Sequence, residues 1–141
     1  MLSLSADGNK LAVGSETDWS NATGINGDQT NHTVMRSGAV YVFNRSGTSW
    51  SHQAYVKAGT TEVDDSFAWP TLSGDGNTLA VGVLGEDSNA TGIGGDQSDN
   101  SASNAGAVYI LTTNTDLHQY SRGNTLTVSS TITTTPTTPL G

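Results

Sequence analysis

Apolar and polar residues alternate in short segments along this chain, and the same arrangement occurs twice. Two short apolar segments flank an Asp-Gly pair at residues 4–14, and nearly the same letters stand at residues 72–82. Asp-Gly between such segments favours a β-hairpin, because both central positions of its turn need or tolerate positive φ. The pattern therefore predicts two equivalent hairpins, turning at Asp7-Gly8 and at Asp75-Gly76.

A continuous apolar segment follows each hairpin after a long polar loop. Residues 38–43 read Gly-Ala-Val-Tyr-Val-Phe and residues 106–111 read Gly-Ala-Val-Tyr-Ile-Leu. Loss of alternation in a short segment with high β propensity predicts a strand that is covered on both faces. The loops, at residues 15–37 and 83–105, exceed the usual length of about 12 to 15 residues, so binding or disorder is expected there.

The first copy also contains a predicted fourth strand. A turn at residues 46–48 leads into residues 50–57, where Ala54 and Val56 share one face, and residues 64–70 are predicted to connect the two copies. In the second copy, residues 115–122 replace the fourth strand. An alternating segment then follows within residues 124–132, and residues 133–141 form a Thr/Pro-rich tail that is too polar to pack.

The two copies are a duplication, because 22 of the 40 positions in residues 4–43 and 72–111 are identical. A repeat of this length is a unit that must stack on a neighbour to bury its faces. Four antiparallel strands per period, with the inner strands covered, are typical of a propeller blade. We therefore predict an all-β, propeller-like fold with almost no helix, made of two blades of three to four strands at residues 1–61 and 62–123. Two blades are few, so the chain is expected to belong to a longer array or to pool its blades with other chains.

Charge and composition exclude several classes of function. The formal net charge is −8 with only five Lys and Arg residues, and these are scattered singly. Such a chain offers no basic surface to nucleic acid or to anionic membranes. No apolar segment approaches the roughly 20 residues of a membrane-spanning helix, so membrane insertion is not expected. Cysteine is absent, which excludes disulfides and thiolate metal sites.

The duplicated motifs resemble the FG-GAP repeat, the propeller repeat of integrin α-chain heads and of many bacterial surface proteins. The resemblance rests on a Ser-x-Asp-Gly-Asn-x-Leu-Ala-Val-Gly hairpin at a fixed distance from Gly-Ala-Val-Tyr, and it covers about 110 of the 141 residues. Phe67-Ala68 stands where the family has Phe-Gly, and residues 81–85 stand where it has Gly-Ala-Pro. The resemblance implies a propeller of several blades, often bound to calcium, that acts in adhesion or protein interaction rather than as an enzyme. Propellers with a Trp-Asp signature rank second. Their period is about 40 to 45 residues, whereas the two copies here are 68 residues apart and contain no Trp-Asp pair.

The acidic loops are the candidate calcium sites. Ca²⁺ takes 6 to 8 oxygen ligands in flexible geometry, which Gly-rich acidic loops supply. The alternative is a solvated polar loop without metal. The candidate ligands are Glu86, Asp87, Asp96 and Asp99 in the second loop and Asp18 and Asp28 in the first.

Other chemically active side chains give weaker signals. Aromatic faces suit the apolar faces of sugars, which makes tryptophans candidate glycan contacts, although packing between blades is the commoner role. The tryptophans are Trp19, Trp50 and Trp69. The histidines lack the spacing of metal ligands, and Asp64-Asp65 is interpreted as part of a solvated connector rather than as a pair of catalytic carboxylates.

The sequence thus predicts a non-enzymatic interaction or structural module at the cell surface or outside the cell. Its expected partners are another protein or copies of itself, with Ca²⁺ as the candidate cofactor. One alternative is a lectin in which oligomerised blades bind glycans through the tryptophans. Another is a self-assembling subunit in which the segment 126–132 pairs with the blade edge of the next chain.

Overall fold

The chain folds into two antiparallel β-sheets that pack against each other. The computed structural model describes residues 1–113 and 120–121. The strand order is β1-β2-β3-β4 in the first sheet and β5-β6-β7-β8 in the second. The strands are β1 (Leu2–Leu4), β2 (Lys10–Ser15), β3 (Ala39–Ser46), β4 (Ser49–Val56), β5 (Phe67–Leu72), β6 (Thr78–Val83), β7 (Ala107–Thr113) and β8 (Tyr120–Ser121). The predicted all-β fold is confirmed, and the described residues contain no helix.

The C-terminal predictions fall largely outside the described residues. The two-residue strand β8 pairs with β7 inside the segment that was predicted to replace a regular fourth strand. The predicted strand within 124–132 and the tail at 133–141 lie beyond the part of the chain that the structure describes.

Both hairpins form where they were predicted, but their turns differ from the expected type. Only Gly8 has positive φ, at 68°, whereas Asp7 does not. The Asp7 carboxylate instead accepts hydrogen bonds from Ser5 Oγ at 2.7 Å and from the Asn9 amide at 3.0 Å. Asp side chains readily hold turns in this way. The loop between β1 and β2 spans residues 5–9 and is therefore longer than a two-residue turn. The second hairpin repeats these bonds around Asp75.

The segment that was predicted to connect the copies is partly a strand. β5 begins at Phe67 and pairs with β6 from Phe67↔Val83 to Leu72↔Leu79, with an irregularity before Trp69. The strand contains Pro70, which donates no hydrogen bond and is tolerated because β5 is the edge strand of its sheet. The apparent linker is therefore the first strand of the second repeat.

The larger of two hydrophobic clusters lies between the sheets. Side chains alternate across a strand, so each sheet offers one face to this core. The inner face of the first sheet consists of Ala12, Val40, Val42, Ala54 and Val56. The inner face of the second sheet includes Leu72, Leu79, Val81, Tyr109 and Leu111.

The sheets approach closely where β5 crosses the first sheet. A Cβ added to Gly14 would lie 1.9 Å from the carbonyl oxygen of Ala68, so only glycine fits there. Backbone hydrogen bonds join the sheets on either side of this crossing, from Phe67 N to Ser37 O at 3.0 Å and from Ala6 N to Gly74 O at 2.8 Å.

The predicted cover of β3 and β7 on both faces is only partial in the single chain. Val40 and Val42 are fully buried, whereas Tyr41 and Phe43 on the opposite side of β3 are only partly buried. The reason is that two stacked sheets have two outer faces. We call Leu4, Leu11, Val13, Tyr41 and Phe43 the outer face of the first sheet. We call Ala80, Val108 and Ile110 the outer face of the second sheet.

The first long loop covers an edge of its sheet. It runs from residue 16 to residue 38, and within it Ile25 forms an isolated antiparallel bridge with Val56 of β4. Asn26 adds to this pairing, because its amide donates to Tyr55 O at 2.7 Å and its side-chain oxygen accepts from Tyr55 N at 3.0 Å. This pairing occupies the free backbone groups of an edge strand, which would otherwise recruit other chains.

Candidate functional site

The first loop is tied to its sheet by a polar network around Asp18. The Asp18 carboxylate accepts hydrogen bonds from Tyr55 Oη at 2.9 Å, from Tyr41 Oη at 3.0 Å and from the Ser20 amide at 3.0 Å. Burial and the Asp18 carboxylate together raise the pKa of Tyr41 to about 12, so its phenol stays a donor at neutral pH. The network therefore fixes the start of the loop above β3 and β4.

Lys57 completes this network from the end of β4. It is only 3% exposed, and its Nζ donates to Ser37 Oγ at 2.6 Å and to Gly38 O at 2.7 Å, with Asp18 Oδ1 at 3.3 Å. Burial lowers the pKa of Lys57, and the Asp18 charge opposes that effect. All three ammonium protons have partners, which is the condition for holding a buried cation.

Burial acts to raise the pKa of Asp18, but its partners outweigh burial. Hydrogen bonds from Ser20 and Tyr55 and the charge of Lys57 hold the pKa of this carboxyl below its usual value. Asp18 is therefore an ionised structural anchor at neutral pH.

Two acidic side chains are buried in the second loop and in the connector that precedes β5. Glu86 is the repeat equivalent of Asp18, is nearly fully buried, and lies 3.3 Å from Tyr109 Oη through its Oε2 atom. Asp65 is also only 3% exposed, and its Oδ2 accepts a hydrogen bond from the Glu62 amide at 2.9 Å. Burial, followed by the charges of Glu86, Glu62 and Asp87, raises the pKa of Asp65 to about 7. Burial likewise raises the pKa of Glu86.

Sequence reasoning did not identify Asp65 and Lys57 as buried residues. Asp65 was predicted to be a solvated connector residue, and that prediction is wrong because the connector folds back against the second loop, where Gly85 N donates to Asp65 O at 3.0 Å. Lys57 was not singled out as a functional residue. The available signal was the repeated tyrosine, Tyr41 and Tyr109, with an acidic residue at the same separation before it in each copy.

The predicted calcium ligands are distributed along the loops, and most of them hold turns. Asp28 Oδ1 accepts from the amide and hydroxyl of Thr30 at 2.8 and 2.7 Å, and Asp96 repeats this with Ser98 at 2.9 and 2.7 Å. Asp99 accepts from the Ser101 amide and Asp87 from the Asn104 amide. Within residues 1–113 and 120–121, no three His, Cys, Asp or Glu side chains are grouped as a metal site would need. Calcium binding stays a prediction, which melting in calcium against chelator would test.

The three tryptophans occupy three different environments. Trp19 in the first loop is 44% exposed and Trp50 on β4 is 45% exposed, so neither packs in the core as the commoner role would require. The Arg45 guanidinium lies 5.8 Å from the centre of the Trp50 ring. Trp69 is partly buried and lines a groove with Glu16, Arg36, Asp64 and Asn104, and its Nε1 has no hydrogen-bond partner.

Comparison of the chain with protein-family models, with curated proteins and with solved structures gives no match. The resemblance to FG-GAP repeats therefore stays a prediction that rests on the duplicated motifs. Over the described ranges, the structure contains no helix that is long and apolar enough to cross a membrane.

The buried carboxyl of Asp65 makes stability depend on pH. Its pKa is about 7 in the folded chain and about 3.9 in an unfolded one, so unfolding between these values releases a proton. Stability should therefore fall as pH rises from about 4 to about 7 and level off above that, with a loss of about 2 kcal/mol between pH 5 and pH 7. Urea unfolding at the two pH values measures this difference.

Asp65→Asn is the matched variant for the pH experiment, because its amide oxygen still accepts from the Glu62 amide. We expect this variant to lose the part of the pH dependence that belongs to Asp65 while remaining folded, and the raised pKa of Glu86 leaves a remainder of the same sign. Asp18 has the opposite effect, because its lowered pKa makes stability fall in acid. That effect occurs at pH values below those compared here. Equal unfolding free energies of the unmodified chain at pH 5 and pH 7 would contradict the assignment.

Proposed function

We propose that this chain is a non-enzymatic interaction or structural module, built from FG-GAP-like propeller blades and working at the cell surface or outside the cell. The duplicated hairpins and inner strands support the blade interpretation, since they build two equivalent sheets that stack through their faces. The surface location follows from the resemblance alone.

The observation that carries the proposal is that buried polar side chains hold the first loop on its sheet. Asp18 and Lys57 are buried in a network that fixes the loop on its sheet, with partners on every donor of the ammonium group. Groups of this kind in an active site would be open to a substrate. Here they give a rigid loop scaffold, which suits a module that presents a surface.

A lectin is the second candidate, because of the groove at Trp69. The partly buried indole of Trp69 lies beside charged and amide side chains there, and such a combination of an aromatic face and polar groups suits a sugar ring. One observation speaks against the lectin. Trp19 is exposed and does not line this groove, so the tryptophans do not form one aromatic site.

An array that carries both glycans and extracellular proteins separates the two functions. We expect the chain to bind protein spots and to show no glycan binding that depends on Trp69. The matched variants are Trp69→Ala in the groove and Trp19→Ala on the exposed loop. Glycan binding that is lost in Trp69→Ala and kept in Trp19→Ala would replace the interaction module by the lectin.

A further inference from the structure

The two outer faces of this molecule are repeat copies of the two inner faces that already pack together. In the alignment of the two repeats, Leu4, Leu11 and Val13 of the outer face of the first sheet correspond to residues of the inner face of the second. These counterparts are Leu72, Leu79 and Val81. Tyr41 likewise corresponds to Tyr109, and Phe43 is replaced by Leu111. The outer face of the first sheet is therefore a second version of a surface that is known to fit a blade.

The other outer face shows the complementary relation. Ala80 and Val108 of the second sheet are the repeat equivalents of Ala12 and Val40, which lie on the inner face of the first sheet. Ile110 replaces Val42, so the face stays apolar. A Cβ on Gly82, the equivalent of Gly14, would meet only its own strand neighbour Trp69 at 3.4 Å, so the place that β5 fills on the first sheet is open on the second.

Both outer faces are partly exposed in the single chain. Leu4 is 53% exposed, and Leu11, Tyr41, Val108 and Ile110 are intermediate. Extended apolar faces of this kind are rare on soluble monomers and usually mark an interface. Each outer face thus repeats one half of the contact between the two sheets.

We propose that copies of this chain bind head to tail, with the outer face of the first sheet of one copy on the outer face of the second sheet of the next. The inference rests on the proposed interaction module and names its partner as a second copy. The joint repeats the contact between the two sheets inside each chain. Because the two faces differ, the contact is heterologous, and such contacts close into rings or extend into filaments.

The charge of the chain provides a further signature of this contact. Each copy has a formal net charge of −8, so copies repel one another while the joining faces are apolar. Added salt screens the repulsion and leaves the apolar contact, and association should therefore strengthen with ionic strength. An association driven by opposite charges would weaken instead.

The test is sedimentation velocity on the full chain, with one glutamate substitution on each face. Leu4→Glu blocks the first outer face and Ile110→Glu blocks the second, with Ala80→Glu as the second variant should Ile110→Glu fail to fold. Ile93→Glu, on an exposed loop residue, is the matched control. Circular dichroism melting establishes that each variant is folded.

We expect the unmodified chain and Ile93→Glu to form species of at least twice the chain mass of 14.5 kDa, and each face variant alone to remain a monomer. An equimolar mixture of Leu4→Glu and Ile110→Glu should form dimers only, because each supplies the face that the other lacks. A monomeric unmodified chain at high micromolar concentration would overturn the proposal, as would a mixture that stays monomeric. Association that appears only after residues 124–141 are deleted would also overturn it, since that segment would then be the occupant. The glycan and protein array tests the interaction module separately from this result.

Discussion

Replacing Lys57 by Met is expected to lower the free energy of unfolding by about 3 to 5 kcal/mol, the usual cost of removing one partner from a buried ion pair. The Lys57 side chain is fully buried, and its Nζ serves three acceptors. Met fills a similar volume but donates nothing, so Asp18 loses its counter-charge while Ser37 Oγ and Gly38 O lose their donor. The loss therefore comes from polar groups left behind in the interior.

Urea unfolding at neutral pH measures this loss, and the chain contains a matched exposed pair as its control. Arg36 and Asp64 form an ion pair at 3.6 Å with side chains that are 53% and 56% exposed. Arg36→Gln should cost less than about 1 kcal/mol, because water and salt screen exposed pairs. Similar losses in Lys57→Met and Arg36→Gln would contradict the role assigned to the buried network.

Leu79→Ala is the second large expected effect, with a loss of about 2 to 5 kcal/mol. Leu79 is fully buried in the core between the sheets, where it faces the first sheet. Its truncation removes apolar contacts and leaves a cavity, because the paired strands on both sides relax only partly into the space.

The duplication supplies the control for this substitution as well. Leu11→Ala removes the same atoms from the same motif, but Leu11 lies on an outer face and is only partly buried. At a concentration at which sedimentation finds the chain monomeric, its loss should be about 1 to 2 kcal/mol. Thermal and urea unfolding of both variants gives the comparison, and equal losses would show that burial between the sheets is not what distinguishes the two copies.

Strand positions could be predicted from the sequence because the signals for them are local. The alternation around Asp7-Gly8 and the apolar segment at residues 38–43 each act within one strand or hairpin. The type of turn could not be predicted, since it depends on whether the Asp7 carboxylate binds the Ser5 hydroxyl and the Asn9 amide. The start of β5 was missed because Pro70 reads as a break unless the strand is known to lie at an edge.

The candidate site was harder to predict, because burial there depends on contacts between distant parts of the chain. Asp65 is buried by the loop that follows β6, and no local pattern separates it from its exposed neighbour Asp64. Lys57 follows β4, whereas its partner Asp18 follows β2, and Thr125 stands at the repeat position of Lys57. Duplication therefore indicated where the loops attach and gave no indication of which charges they bury.

The close approach of Gly14 to Ala68 also bears on how the two repeats diverge in evolution. Gly14 and Gly82 are the same letter in the same motif, yet a methyl group at the first position would strike the backbone 1.9 Å away, while at the second it would meet an ordinary contact of 3.4 Å within its own sheet. In the single chain, the first copy therefore admits no side chain at this position, whereas the second admits one. The same letter of one motif can thus be substituted independently in the two copies.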